Sequence, residues 1–259
     1  LKYFQALEKR MAKKCAKDED FAKVLGSLKP LIQARNPTMK HAKRILVLLA
    51  AATAFQAARA QTYRYTASPF ESGTLETKGS KFEIATVSSN GNLCNLEGSL
   101  KNNVFRENGC EIRFTFSRGK ATVSIPEAAS EACRSYCGLN AGFAGDYRTE
   151  PAACTAAGIK RTEQRFQAAY RSKNYAQAAK IKQNHLNTCT PFLFITEQMR
   201  AINDLAVSHK NSGNKAACLA ALQPLHRYWN DTAEEHSYIY RDAFMKELSA
   251  AKFNQAACE

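Results

Sequence analysis

Between residues 81 and 126 apolar and polar positions alternate in short runs, and Asn and Gly interrupt them at regular intervals. The runs are KFEIATV, NLCNLEGSL, NVFRE, CEIRFTF and KATVSIP, separated by Asn90-Gly91, Asn102-Asn103, Asn108-Gly109 and Arg118-Gly119. Asn and Gly tolerate the positive φ that tight hairpins need, so these dipeptides predict an antiparallel meander. In CEIRFTF, Cys110, Ile112, Phe114 and Phe116 share one face while Glu111, Arg113 and Thr115 share the other. One side therefore faces a core and the other faces water. After Glu127 the chain reads EAASEACRSYCGLNAGFAGDY, a cysteine-bearing elbow followed by a Gly-rich run that predicts a closing strand over 139–147. Six strands around one core predict a small antiparallel β-barrel or sandwich over residues 61–148.

From Pro151 the period becomes helical. Helices are predicted over 152–172, 175–186, 192–211, 215–222 and 236–256, with Pro151, Pro191, Pro224 and Gly213 marking boundaries. FQAAYRSKNYAQAA and LAVSHKNSGNKAACL both read as a helix, a polar turn and a second helix, and Asn174 and Asn214 mark equivalent turns 40 residues apart. The expected fold class is α+β: the barrel or sandwich, then an all-α, helical-hairpin, repeat-like domain over 149–259.

The longest apolar run precedes both regions. MKHAKRILVLLAAATAFQAARAQ, from Met39, has a basic head, an uncharged stretch from Ile45 to Phe55, and small Ala58 and Ala60 before a cleavage point. That layout predicts a secretory signal peptide over 39–60, a mature chain beginning at Gln61, and a periplasmic or secreted location. The run is about half the roughly 20 apolar residues that a membrane-spanning helix needs, so no membrane span is expected in the mature form. Residues 1–38 are expected to be an upstream extension outside the mature protein.

Charge changes the picture once it is divided at this point. The chain has 37 Lys and Arg against 23 Asp and Glu, a net +14, which invites a nucleic-acid reading. Residues 1–60 hold 13 basic and 4 acidic side chains, leaving 24 and 19 for the rest, a net +5. The basicity belongs mainly to the segment expected to be removed, and nucleic acid is not an expected partner.

Nine cysteines become eight when Cys15 is set aside: Cys94, Cys110, Cys133, Cys137, Cys154, Cys189, Cys218 and Cys258. An even set without a C-x-x-C pair predicts structural disulfides in an oxidising compartment in place of a metal site. A helical hairpin brings Cys154 to Cys189, and Cys218 and Cys258 stand in a similar relation to the last two helices. The other four cysteines leave three connectivities open within the β region.

The early cysteine, CEIRFTF and CRSYCGLNAGFAGDY together resemble small secreted β-domains of bacterial envelope proteins, similar in architecture to the lysozyme-inhibitor barrels. The resemblance implies an inhibitor-like activity, although 10 basic and 9 acidic residues over 61–148 do not form the acidic balance that a basic lysozyme favours. The two helix-turn-helix stretches resemble tetratricopeptide repeats, with Ala178 and Cys218 as the small residues that let paired helices approach; the 40-residue spacing exceeds that family's usual period.

Motifs for a nucleophile elbow, a phosphate loop, a dinucleotide fingerprint and a zinc helix do not occur in the sequence. His226, Tyr228 and Trp229 in LHRYWND are the candidate binding surface. The expected function is non-enzymatic: an exported, disulfide-stabilised binding or inhibitor-like protein acting on an envelope protein partner, with no cofactor or metal. The alternative is a secreted hydrolase of cell-wall or peptide substrates with carboxylates or histidines assembled in space; Glu97 and Asp146 lie near strands but carry no distinguishing sequence context.

Overall fold

The computed structural model describes residues 60–235 and 239–259. The upstream extension over 1–38, the signal peptide except for Ala60, and His236 to Tyr238 lie outside the described residues. Residues Arg59–Glu259 form one compact unit.

Among the described residues eight antiparallel strands make one sheet: β1 (Gln61–Tyr65), β2 (Ser72–Lys78), β3 (Lys81–Val87), β4 (Leu93–Ser99), β5 (Val104–Glu107), β6 (Cys110–Ser117), β7 (Lys120–Ser124) and β8 (Gly145–Arg148). Their order is β4-β3-β2-β1-β8-β7-β6-β5, a nearly closed, barrel-like arrangement. Two strands exceed the six expected. In QTYRY and SGTLETK the inward positions include Tyr63 and Leu75, but Thr, Gly and Arg dilute the alternation. The closing strand is also shorter than 139–147, because Leu139 to Ala144 are irregular and only Gly145–Arg148 pair with β1 and β7.

The hairpin turns follow their residues. Asn102 and Asn103 both have positive φ (55° and 60°), as do Asn108 and Gly109 (48° and 83°), the pattern of a turn whose twist matches its strands. Inside, Phe82 packs on Phe114 at 4.9 Å and edge-on to Phe105 at 5.5 Å between ring centroids. Gly98 is required here, since a Cβ would lie 2.7 Å from the Phe105 ring.

The elbow Glu127–Cys137 runs from β4, one edge of the sheet, to β6, the strand beside the other edge, and Tyr136 reaches Phe105 and Glu107 of β5. Cys94–Cys137 ties it to β4 and Cys110–Cys133 ties it to β6. The Gly138 N–H donates to the Leu93 carbonyl at 2.8 Å, extending the contact. Covering an edge in this way removes a template for unwanted strand pairing.

Among the described residues five α-helices follow the sheet: α1 (Ala156–Arg171), α2 (Tyr175–Cys189), α3 (Ile195–Asn211), α4 (Lys215–Leu222) and α5 (Arg241–Cys258). The last begins five residues later than expected. The α1–α2 and α3–α4 turns share one construction. Lys173 (φ 59°) and Gly213 (φ 79°) take the left-handed conformation, and Asn174 and Asn214 donate back to the Ala169 and His209 carbonyls, both at 2.9 Å. The same two Asn side chains then cap the following helix, accepting from the Gln177 and Ala217 N–H groups at 3.2 and 3.0 Å. One residue ends a helix and starts the next, so each hairpin turns within three residues. Cys154–Cys189 closes the α1–α2 hairpin at its far end, and Cys218–Cys258 joins α4 to α5.

Barrel and helices meet through the β1–β2 loop. Pro69 accepts from the Ile195 N–H at 2.8 Å. Phe70 packs with Tyr228, Tyr240 and Phe244 at 6.1 to 6.5 Å between ring centroids. A barrel loop thus completes the helical core. Among the described residues no helix is long and apolar enough to cross a membrane.

Candidate functional site

A groove of about 390 Å³ runs along the α1–α2 hairpin. From α2 it takes Gln177, Lys180, Asn184, His185 and Thr188 at helical spacing, and from α1 it takes Thr162 and Arg165. Ile181 and Cys189 supply buried parts of its wall. Lys180 and Arg165 are exposed, and no carboxylate is among the lining residues. Among the described residues neither cation has an ion-pair partner. His185 is half-buried, and burial, followed by the nearby Lys182 charge, pushes its pKa below 6.5. It is therefore neutral at pH 7, and the groove's formal charge comes from Arg165 and Lys180. A polar, positively charged cleft favours carboxylates and peptide carbonyls as partners.

The hairpin that carries the groove is held rigid from behind. Lys182, on the other face of α2, is nearly buried, and its Nζ lies 2.7 Å from both Glu163 of α1 and Asp204 of α3. It also sits over the Phe166 ring at 4.3 Å. Burial pushes the Asp204 pKa up, with the Glu163 and Glu247 charges adding to it and Lys182 opposing. Burial also works against ionised Glu163, but hydrogen bonds from Lys182 and Gln167 and the Lys182 and Arg200 charges outweigh it and hold its pKa down.

Polar contacts continue to α5. Arg200 donates to Glu247 at 3.0 Å, Asn203 donates to the Glu247 carbonyl at 2.9 Å and its carboxylate at 3.2 Å, and Asn254 donates to Asn203 at 3.2 Å. Asn203, Glu247 and Asn254, all buried, are each partnered in this network, which fixes the helices in one register.

The other candidate residues lie elsewhere. His226 meets Gln255 at 2.7 Å and the Trp229 ring at 4.6 Å. Tyr228 is buried with Phe70 and Phe244, and Trp229 is half-buried against the same cluster. Their rings serve packing, with Trp229 and His226 partly accessible. Glu97 on β4 and Asp146 on β8 are separated by β3, β2 and β1, so the sheet does not bring these carboxylates together.

Arg165, Lys180 and His185 were not singled out from the sequence. The available signal was a helix face on α2 with polar side chains at 177, 180, 184 and 188 and no acid among them. Among the described residues no group of three or more His, Cys, Asp or Glu side chains is placed to hold a metal ion. Comparison with protein-family models, with curated proteins and with solved structures returns no match.

Proposed function

We propose that this chain is an exported, disulfide-stabilised binding protein of the bacterial envelope, acting through protein contacts and carrying out no catalysis. The observation that supports this reading best is the rigid α1–α2 groove: two cations, polar groups, no lining carboxylate, and a scaffold fixed by Cys154–Cys189 and the Lys182 ion triad. A preformed cleft loses little conformational freedom on association, and its charge selects a partner with an acidic segment. The shared turn chemistry at Asn174 and Asn214 supports reading the helices as two related hairpins of a repeat-like array.

Four disulfides support folding in an oxidising compartment. The signal-peptide layout from Met39 to Ala60 supports export to the periplasm or beyond.

The test is binding of a fluorescent acidic peptide by anisotropy. The expected result is measurable affinity that falls about tenfold or more in the double variant Arg165→Glu, Lys180→Glu. Equal binding of acidic and basic peptides, or no effect of the double variant, overturns the reading.

A second reading draws on the eight-stranded barrel-like sheet, which supports the inhibitor-like resemblance. Loss of lysozyme activity on adding the purified protein would support it, and unchanged activity at saturating protein would contradict it. The hydrolase alternative draws no support from the placement of Glu97 and Asp146.

A further inference from the structure

Strand register brings three cations side by side on the outer face of the sheet. Arg64 on β1 is opposite Arg148 on β8, and Arg148 is opposite Lys120 on β7. Tyr63, Tyr147 and Ala121, their sequence neighbours, point into the core, so alternation directs the three cations outward. Like charges directly opposite one another destabilise a sheet, and a row chosen for stability alone would interleave carboxylates.

Two carboxylates flank Arg148 on this face without pairing with it: Asp146, two residues before it, accepts from the Thr122 hydroxyl at 2.7 Å, and Glu150 lies two residues after it. Glu150 approaches Arg64 at 3.9 Å, the limit of an ion pair. Arg148 has neither an ion-pair nor a hydrogen-bond partner among the described residues, and its Nε is both shielded from water and unpaired. A guanidinium N–H withdrawn from water without an acceptor costs free energy, so Arg148 is not held in place by a satisfied network of its own.

We propose that Arg64, Arg148 and Lys120 form a clamp for a phosphate group. Neighbouring strands are about 4.8 Å apart, so two guanidinium groups on adjacent strands reach different oxygens of one tetrahedral oxyanion, and the lysine on the next strand reaches a third. Arginine's planar fork matches phosphate in two-pronged fashion and is less strongly hydrated than an ammonium, which suits the half-buried Arg148. The site lies on the barrel wall and uses no residue of the helical groove. The phosphate belongs either to a lipid headgroup or to a soluble phosphoester.

Titration calorimetry with inorganic phosphate, and flotation with phosphatidylcholine vesicles with and without phosphatidic acid, test the clamp and separate its sources. Binding is expected in at least one arm, weakened about tenfold or more in Arg148→Gln and in Arg64→Gln. It should be little changed in Lys101→Gln, which removes the same charge from the turn after β4, and should weaken as salt is raised. Binding to phosphatidic acid vesicles alone assigns the lipid, and binding of phosphate in solution assigns the soluble ester. Without phosphate, Arg148→Gln should unfold at the same or a higher denaturant concentration, since a repulsion is removed. Absence of binding in both arms overturns the clamp, as does equal weakening by Lys101→Gln. A loss of stability in Arg148→Gln gives that residue a structural role and also overturns it.

Discussion

Lys182 carries a charge into a place nearly closed to water, and two carboxylates and an aromatic face make that tolerable. Removing it leaves Glu163 and Asp204 facing each other without their shared cation. Lys182→Met keeps the apolar stem over Phe166 but deletes the charge, so the expected loss is about 2 to 3 kcal/mol by urea unfolding. That lies at the low end for a broken buried pair because Glu163 is half-exposed and water screens part of the effect. His185 gives a pH signature. Its folded pKa is below 6.5, so as pH falls past 6.5 the unfolded chain takes up a proton before the folded one does, and stability drops. His209, also shifted down by burial, contributes in the same direction. Unfolding midpoints at pH 7.5 and 5.5 should therefore differ less in His185→Gln than in the parent. Lys173 holds a left-handed conformation that Gly213 adopts in the corresponding turn without a Cβ penalty. Lys173→Gly is expected to raise stability by about 0.5 to 1 kcal/mol, measured by the same unfolding experiment.

At the scale of elements, the β1–β2 loop couples two regions that the sequence reading treated as separate. Phe70 stands between barrel strands in sequence but packs with Tyr228, Tyr240 and Phe244 in space. Phe70→Ala should cost about 2 to 3 kcal/mol, less than a fully buried ring because Phe70 is half-buried, and should speed proteolysis within the helices. An unchanged proteolysis rate would show that the barrel does not brace them. Elements whose residues all obey one period were legible in sequence: CEIRFTF alternates throughout, and α4 was delimited by Asn214 and Pro224. The first two strands were not, because Gly73, Thr74 and Arg64 dilute a pattern that only cross-strand pairing completes. The groove was still less legible. Arg165 and Lys180 become neighbours only when two helices pack, and the phosphate clamp needs three strands in register from opposite ends of the barrel region.

For the molecule as a whole, four disulfides divide the work between regions. Two fasten the elbow to β4 and β6, and two tie the helical region between cysteines 35 and 40 residues apart. Cross-links closing loops of this length are each worth about 2 to 4 kcal/mol, so reduction should lower stability more than any single substitution discussed above. Stapling and export belong together: the chain is expected to reach an oxidising compartment, lose its leader and acquire its bridges there. The most direct test is intact-mass analysis of the protein expressed with its own leader, alkylated before and after reduction. The account predicts a chain beginning at Gln61 that takes up no alkyl group before reduction and eight afterwards. A chain retaining Cys15 and residues upstream of Gln61, with free thiols at Cys94 through Cys258, would contradict it.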